Sequence, residues 1–228
     1  DMGDNKGLLY DLNPSYLYSQ PGTYVPYLKV VTNQGCEDIF LDTINIKNVP
    51  DVDFFFENTC VGNKTTLKDN STVENGNIIS FKWDFGDKSI EKFDSSVIHT
   101  YTNTGTYNVI LNVFSDNGCS SDKLKEIEIY DLPSVKFNVL NQCIDETINF
   151  YDASISTNGS IINWKWTLNE THDSFYEKNI SYKFNNAGLH NIRLFVEDEK
   201  GCVNRYEEKI RIYELPYVSF ISDTSICI

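Results

Sequence analysis

One spacing governs this chain. Gly35-Cys36 returns 83 residues later as Gly118-Cys119, and 83 residues after that as Gly201-Cys202. Pro50, Pro133 and Pro216 keep the same period, as do Gly22, Gly105 and Gly188. Val52 and Phe54 return as Val135 and Phe137, then as Val218 and Phe220. Cys60 returns as Cys143, with Cys227 following 84 later, and Asp4 matches Asp87. A sustained period of this kind means that one structural unit is used repeatedly, and it is read before any local pattern. With proline as the boundary, residues 1–49 are the back part of one unit, 50–132 and 133–215 are complete units, and 216–228 open another. The 228 residues therefore read as a window on a tandem array rather than as one or two ordinary domains. The junctions Tyr130-Asp131-Leu132-Pro133 and Tyr213-Glu214-Leu215-Pro216 are short and poor in glycine and serine, so successive units are expected to abut with little freedom.

Within 50–132 the pattern is that of strands. Val52, Phe54 and Phe56 alternate, as do Ile79, Phe81, Trp83 and Phe85, and again Tyr107, Val109, Leu111 and Val113. Asn75-Gly76 and Asn117-Gly118 mark turns. Leu124, Ile127 and Ile129 suggest a closing strand with an irregularity near Lys125. No stretch carries a helical stripe. Several short strands with regular turn signals in about 80 residues predict an all-β fold, tandem immunoglobulin-like β-sandwiches set end to end.

The motifs then become specific. Trp83-Asp84-Phe85-Gly86-Asp87, followed by His99-Thr100-Tyr101 and by Gly105-Thr106-Tyr107-Asn108-Val109-Ile110-Leu111-Asn112-Val113, resembles the PKD (polycystic kidney disease) domain. The resemblance covers essentially all of 50–132. Unit 133–215 is a divergent relative: it keeps Trp166, puts Thr167-Leu168-Asn169-Glu170 where the acidic turn was, and has Tyr182 in place of His99. Asp1-Met2-Gly3-Asp4 with Gly22-Thr23-Tyr24 places the first fragment in the same family. The regular pair of cysteines per unit resembles PKD arrays of Bacteroidota cell-surface and gliding-motility adhesins.

Six cysteines in register, with no C-x-x-C, favour disulfides and an oxidising compartment over zinc or a thiol nucleophile. Two pairings stand open. Within a unit, Cys60 would join Cys119 and Cys143 would join Cys202. In an immunoglobulin-type sandwich, however, the turn holding Cys60 lies where the chain leaves and the turn holding Cys119 lies where it enters. These ends are separated by a strand of roughly 25–30 Å, while a disulfide needs Cα atoms within about 7 Å. The favoured pairing is therefore between units, Cys60 with Cys202, with partners for Cys36, Cys119, Cys143 and Cys227 outside this sequence.

The remaining candidates read as structural. Asp84 and Asp87 are placed as turn caps rather than an acid–base pair. His99, Tyr101, Gly105 and Tyr107 fall to packing and turn roles, and Trp83, Trp166 and Trp164 to the core rather than to a sugar platform. Asp51, Asp53, Asp131 and Glu214 near the junctions are the only candidates for calcium, but no D-x-D-x-D-G loop accompanies them. No catalytic constellation and no cofactor are expected. With 33 acidic against 19 basic side chains, the net charge of −14 argues against nucleic acid and anionic lipid as partners. No apolar run approaches the ~18 residues of a membrane span. The resemblance implies a non-catalytic stalk or filament of a large extracellular cell-surface adhesin, serving attachment or gliding motility and exported by type IX secretion. Its partners would be neighbouring repeats, other surface or secretion-system proteins, or a glycan surface. One alternative is a PKD spacer in a secreted hydrolase. Another is a carbohydrate- or protein-binding domain, which would show an exposed aromatic patch absent from sibling units.

Overall fold

The computed structural model describes residues 1–57, 59–89, 91–168 and 174–219. Every regular element in it is a strand. In the first fragment, β1 (Gly22–Tyr24), β2 (Tyr27–Val31), β3 (Glu37–Leu41) and β4 (Ile44–Ile46) fold into one interrupted hairpin. β2 pairs antiparallel with β3 from Tyr27↔Leu41 to Val31↔Glu37, and β1 with β4 from Gly22↔Ile46 to Tyr24↔Ile44.

Repeat 50–132 supplies β5 (Phe54–Glu57), β6 (Thr65–Asp69), β7 (Ile78–Asp84), β8 (Ser96–His99), β9 (Gly105–Ser115) and β10 (Ser120–Ile129). They form two three-stranded sheets, β5-β6-β8 and β10-β9-β7. Repeat 133–215 supplies β11 (Phe137–Leu140), β12 (Ile148–Asp152), β13 (Ile161–Leu168), β14 (Ser174–Phe175), β15 (Asn179–Tyr182), β16 (Gly188–Asp198) and β17 (Val203–Ile212). Its sheets are β11-β12-β15 and β14-β13-β16-β17. The core of this repeat gathers the inward residues of both sheets, with Phe137, Ile148, Phe150, Trp166, Ile192, Leu194 and Ile212 at its centre. The two tryptophans mark the same place in both repeats. Each is fully buried. Trp83 Nε1 donates to Asp94 O at 2.8 Å, and Trp166 Nε1 to Glu177 O at 3.0 Å. This satisfies the one polar atom on an otherwise apolar side chain.

Two strand expectations need correction. Ile79 does not join the inward row with Phe81 and Trp83. The pairing of β7 with β9 slips between Ile78 and Ser80, and Ile79 is turned out to 64% exposure. A bulge adds one residue, so everything before it changes face. The irregularity placed near Lys125 is absent, because β10 runs unbroken through it. Lys125 instead takes an inward-side position, where its ammonium bonds the Phe54 carbonyl and pairs with Asp53 at 2.7 Å, while Leu124 faces outward.

The chain divides into two compact units that do not follow the repeat boundaries. The first takes Asp1–Glu57, Thr66–His99 and Tyr107–Glu126. The second takes the segment ending at Thr65, the segment Thr100–Thr106 and the described chain from Ile127 onward. Two loops of repeat 50–132 and the end of β10 thus belong to the same compact unit as repeat 133–215.

Candidate functional site

The second unit holds the arrangement that sets this chain apart from a plain sandwich, and it is built on the Gly-Cys turn. β16 ends at Asp198 and β17 begins at Val203. Asp198 N donates to Cys202 O at 3.1 Å, and Gly201 N to Asp198 O at 2.9 Å. Gly201 has φ +76°, the left-handed region that a tight turn requires and that glycine enters without steric cost. The Asp198 carboxylate is buried beneath the turn. It accepts from Ser156 Oγ at 2.7 Å, Asn158 Nδ2 at 2.8 Å, and the backbone N–H groups of Lys200 and Cys202 at 3.0 Å each. Burial pushes its pKa up, but the donors from Asn158, Ser156, Cys202 and Lys200 outweigh that and hold it below the ordinary carboxylate value.

The same amides and their neighbours fasten the linker. Asn158 Nδ2 also donates to Asp131 O at 2.7 Å, and Asn204 Nδ2 donates to Pro133 O at 2.8 Å. Lys200 Nζ lies 5.0 Å from the centre of the Tyr130 ring. Tyr130 in turn forms an isolated parallel bridge with Cys60, with Tyr130 N donating to Thr59 O at 2.7 Å and Val61 N to Tyr130 O at 2.9 Å. The result is a covalent bond. Cys60 and Cys202, 142 residues apart, are joined by a disulfide with an S–S distance of 2.10 Å and a Cα–Cα distance of 5.6 Å. It links a loop of one sequence repeat to the Gly-Cys turn of the next. Both cysteines are thereby occupied, so the pairs Cys60–Cys119 and Cys143–Cys202 do not form. A strand's length separates the two ends of one sandwich, and one bond cannot cross it.

The other cysteines occupy the same two positions. Cys143 forms with Tyr213 the parallel bridge that Cys60 forms with Tyr130. Cys119 and Cys36 close turns like that of Cys202: Ser115 N donates to Cys119 O, and Thr32 N to Cys36 O, both at 2.9 Å. Cys36 is exposed, Cys119 and Cys143 are partly so, and all three are thiols. Cys227 lies outside the described residues.

The acidic motif is a self-contained turn in the first unit. Asp84 Oδ1 accepts from Gly86 N at 2.9 Å, and Asp87 Oδ1 from Ser89 N at 3.0 Å. Gly86 has φ +75°, and a Cβ there would stand 2.5 Å from Asn108 O, so only glycine fits. Asp87 Oδ2 lies 2.7 Å from His99 Nε2, and the His99 ring stacks on buried Phe85 at 4.2 Å. Burial opposes ionisation of Asp87, but hydrogen bonds from Ser89 and His99 keep its carboxyl below its usual range. The fragment repeats this turn: Gly3 N donates to Asp1 Oδ1 at 2.6 Å, and Tyr16, the counterpart of His99, donates its hydroxyl to Asp4. Bonding to Asp4 raises the Tyr16 pKa to about 12. Tyr101 is buried, Gly105 opens β9, and Tyr107 lies two residues into that strand. Asp53 is engaged by Lys125, and Asp131 Oδ1 caps Leu132 N at 2.8 Å. Among the described residues no three His, Cys, Asp or Glu side chains converge on a point that could hold a metal, so Asp51, Asp53, Asp131 and Glu214 are not gathered into a site.

Residues 47–129 match the family model described as the PKD domain. This chain contains a PKD domain. That segment carries the Trp83–Asp87 turn, His99 and the β9 strand. The chain is similar, at 27% identity, to the PKD1 domain from Vibrio cholerae metalloprotease PrtV, covering 37% of this chain and 98% of that one with a TM-score of 0.33. It is also similar to the PKD1 domain of Vibrio anguillarum Epp, at 23% identity over 36% of this chain and 95% of that one, with a TM-score of 0.34. Among curated proteins it is 26% identical over 160 residues to the pre-pro-metalloprotease PrtV of Vibrio cholerae serotype O1, which takes in 69% of this chain. The chain spans 17% of that protein's length. No helix in the described residues is long and apolar enough to cross a membrane.

Proposed function

We propose that this chain is a non-catalytic, load-bearing segment of an extracellular cell-surface protein: a stalk of PKD-type repeats in which each repeat is bonded to the next. The observation that carries the reading is the Cys60–Cys202 disulfide, which joins consecutive repeats instead of closing one. Cys143 and Cys119 stand at the two equivalent positions, ready to continue the ladder to neighbouring repeats on either side. The setting expected for such a stalk is a large surface adhesin of the Bacteroidota gliding-motility kind, exported by type IX secretion, where compact repeats give reach and acidic surfaces limit self-association. Stretching single molecules tests it. In the oxidised chain, the residues between Cys60 and Cys202 stay hidden from the pulling force. Full extension should then fall short of the reduced chain by about 480 Å, at roughly 3.4 Å per residue. Equal extension with and without reductant would overturn the reading.

A second reading is favoured by the likeness to PrtV: a spacer beside the catalytic domain of a secreted hydrolase. Antibodies to residues 50–215 separate the two. Labelling of intact cells supports the stalk, and recovery only in the medium, on a chain with hydrolytic activity, supports the spacer.

A further inference from the structure

The outer face of sheet β14-β13-β16-β17 carries a groove of about 460 Å³, and its residues differ from their counterparts in the sibling repeat in one consistent direction. The volume lies within the ~300–1,000 Å³ typical of small-ligand sites. Cross-strand register builds it in rows. Lys165 stands opposite Phe195, and Phe195 opposite Arg205. Asn163 stands opposite Glu197, and Glu197 opposite Val203. Tyr176 follows β14, is 66% exposed, and closes the row beside Lys165. Two aromatic rings thus border a lysine, with an amide and a carboxylate at one end bonded to each other, Asn163 Nδ2 to Glu197 Oε2 at 2.8 Å.

The sibling repeat keeps the local geometry and loses the chemistry. Trp83 bridges Lys92 as Trp166 pairs with Phe175, so the 83-residue equivalence holds along this edge. There Lys82 is neutralised by Glu91 at 3.0 Å. At the counterpart positions Glu91 becomes Ser174, Asn112 becomes Phe195 and Asp122 becomes Arg205. Ser95 and Phe114 become Lys178 and Glu197. Over Lys82, Glu91, Ser95, Phe114 and Asp122 the charge is −1, and over Lys165, Ser174, Lys178, Glu197 and Arg205 it is +2. Among the described residues no carboxylate pairs with Lys165 or Arg205 within 4 Å. An otherwise acidic chain has here exchanged a neutralised polar face for a cationic one with an added aromatic ring.

We propose that this groove binds an anionic polysaccharide, a uronic-acid glycan, with sugar rings against Tyr176 and Phe195 and carboxylates toward Lys165 and Arg205. A pyranose presents a C–H face that packs on an aromatic ring and hydroxyls that suit the Asn163–Glu197 pair. An acidic peptide fits less well, because the groove lies on a side-chain face where the backbone groups of β13 and β16 are spent in the ladders, leaving no strand edge to pair with. The inference goes beyond the stalk reading and stands whether or not that reading holds.

The test is calorimetric titration of the whole oxidised chain with polygalacturonate, neutral galactan and polyglutamate. Binding to polygalacturonate is expected, weakened at higher salt. Phe195→Asn and Arg205→Asp install what the sibling repeat carries at those positions. Each should weaken binding at least tenfold with an unchanged urea midpoint, and Lys165→Gln, on the exposed face, serves as a third variant. Equal binding of galactan, equal binding of polyglutamate, no binding to any probe, or binding indifferent to all three substitutions would overturn the proposal.

Discussion

The hairpin at residues 22–46 and its counterparts in the complete repeats share a pattern and differ in what covers it. Leu28 is 64% exposed, while Leu111 and Leu194, 83 and 166 residues later, are 0% exposed. Val30 is 54% exposed against 0% for Val113 and 1% for Val196. The strands pair in all three cases, so the alternation and the Gly-Cys turn suffice for the hairpin itself. Burial comes only where a second sheet, β5-β6-β8 or β11-β12-β15, is present in the same repeat. Local sequence therefore sets the ladder, and long-range packing supplies the stability.

That contrast can be broken by substitution. Truncating Leu111 or Leu194 to alanine should cost about 2–5 kcal/mol in urea unfolding, while Leu28→Ala should stay within about 0.5 kcal/mol. Similar costs at Leu28 and Leu111 would show that the two hairpins are packed alike. Removing the disulfide with Cys60→Ser or Cys202→Ser should lower stability by about 2–5 kcal/mol, the range for a bond closing a long loop, and should act on the second compact unit. Cys36→Ser, at an exposed thiol, should leave the midpoint unchanged. Gly86→Ala should cost about 1–3 kcal/mol, because the left-handed backbone and the Asn108 carbonyl both oppose a side chain. Gly118→Ala, with φ +86° but no neighbour within 4 Å, should cost less.

The smallest expected effect is on pH dependence. Asp198 and Asp87 both have depressed native pKa values, so the unfolded chain takes up protons first on acidification. Their stabilising contribution is complete above the ordinary carboxylate value of about 4 and is lost as pH falls through the native pKa. Asp198→Asn should flatten the acid limb of the stability profile of the second unit. An unchanged slope below pH ~4 would contradict that role.

Much of the fold was legible because it repeats. The tryptophan strands, the Gly-Cys turns and the Trp83–Asp87 motif are all fixed by residues whose reason is local: a φ > 0 position, a period of two, or an Asx turn. Ile79 was misread because a bulge has no signature in alternation alone, and Lys125 because an inward lysine looks like a break until Asp53 and the Phe54 carbonyl are seen beside it. Asp198 was not singled out at all. Its counterparts are Ser115 and Thr32, so one job is done by three residue types, and no repeated letter reveals it. The Tyr176–Phe195 groove was missed for the opposite reason: its signal is divergence between siblings, Asn112 to Phe195 and Asp122 to Arg205. The aromatic weighed in its place, Trp164, packs partly against the core.

The bond between repeats is the claim on which the rest depends, and peptide mapping of the oxidised, unreduced chain tests it most directly. Proteolysis under conditions that block thiol exchange should yield one cross-linked pair containing Cys60 and Cys202, separable only after reduction, with Cys36, Cys119 and Cys143 recovered as alkylated thiols. Recovery of Cys60 linked to Cys119, or Cys143 linked to Cys202, would contradict it.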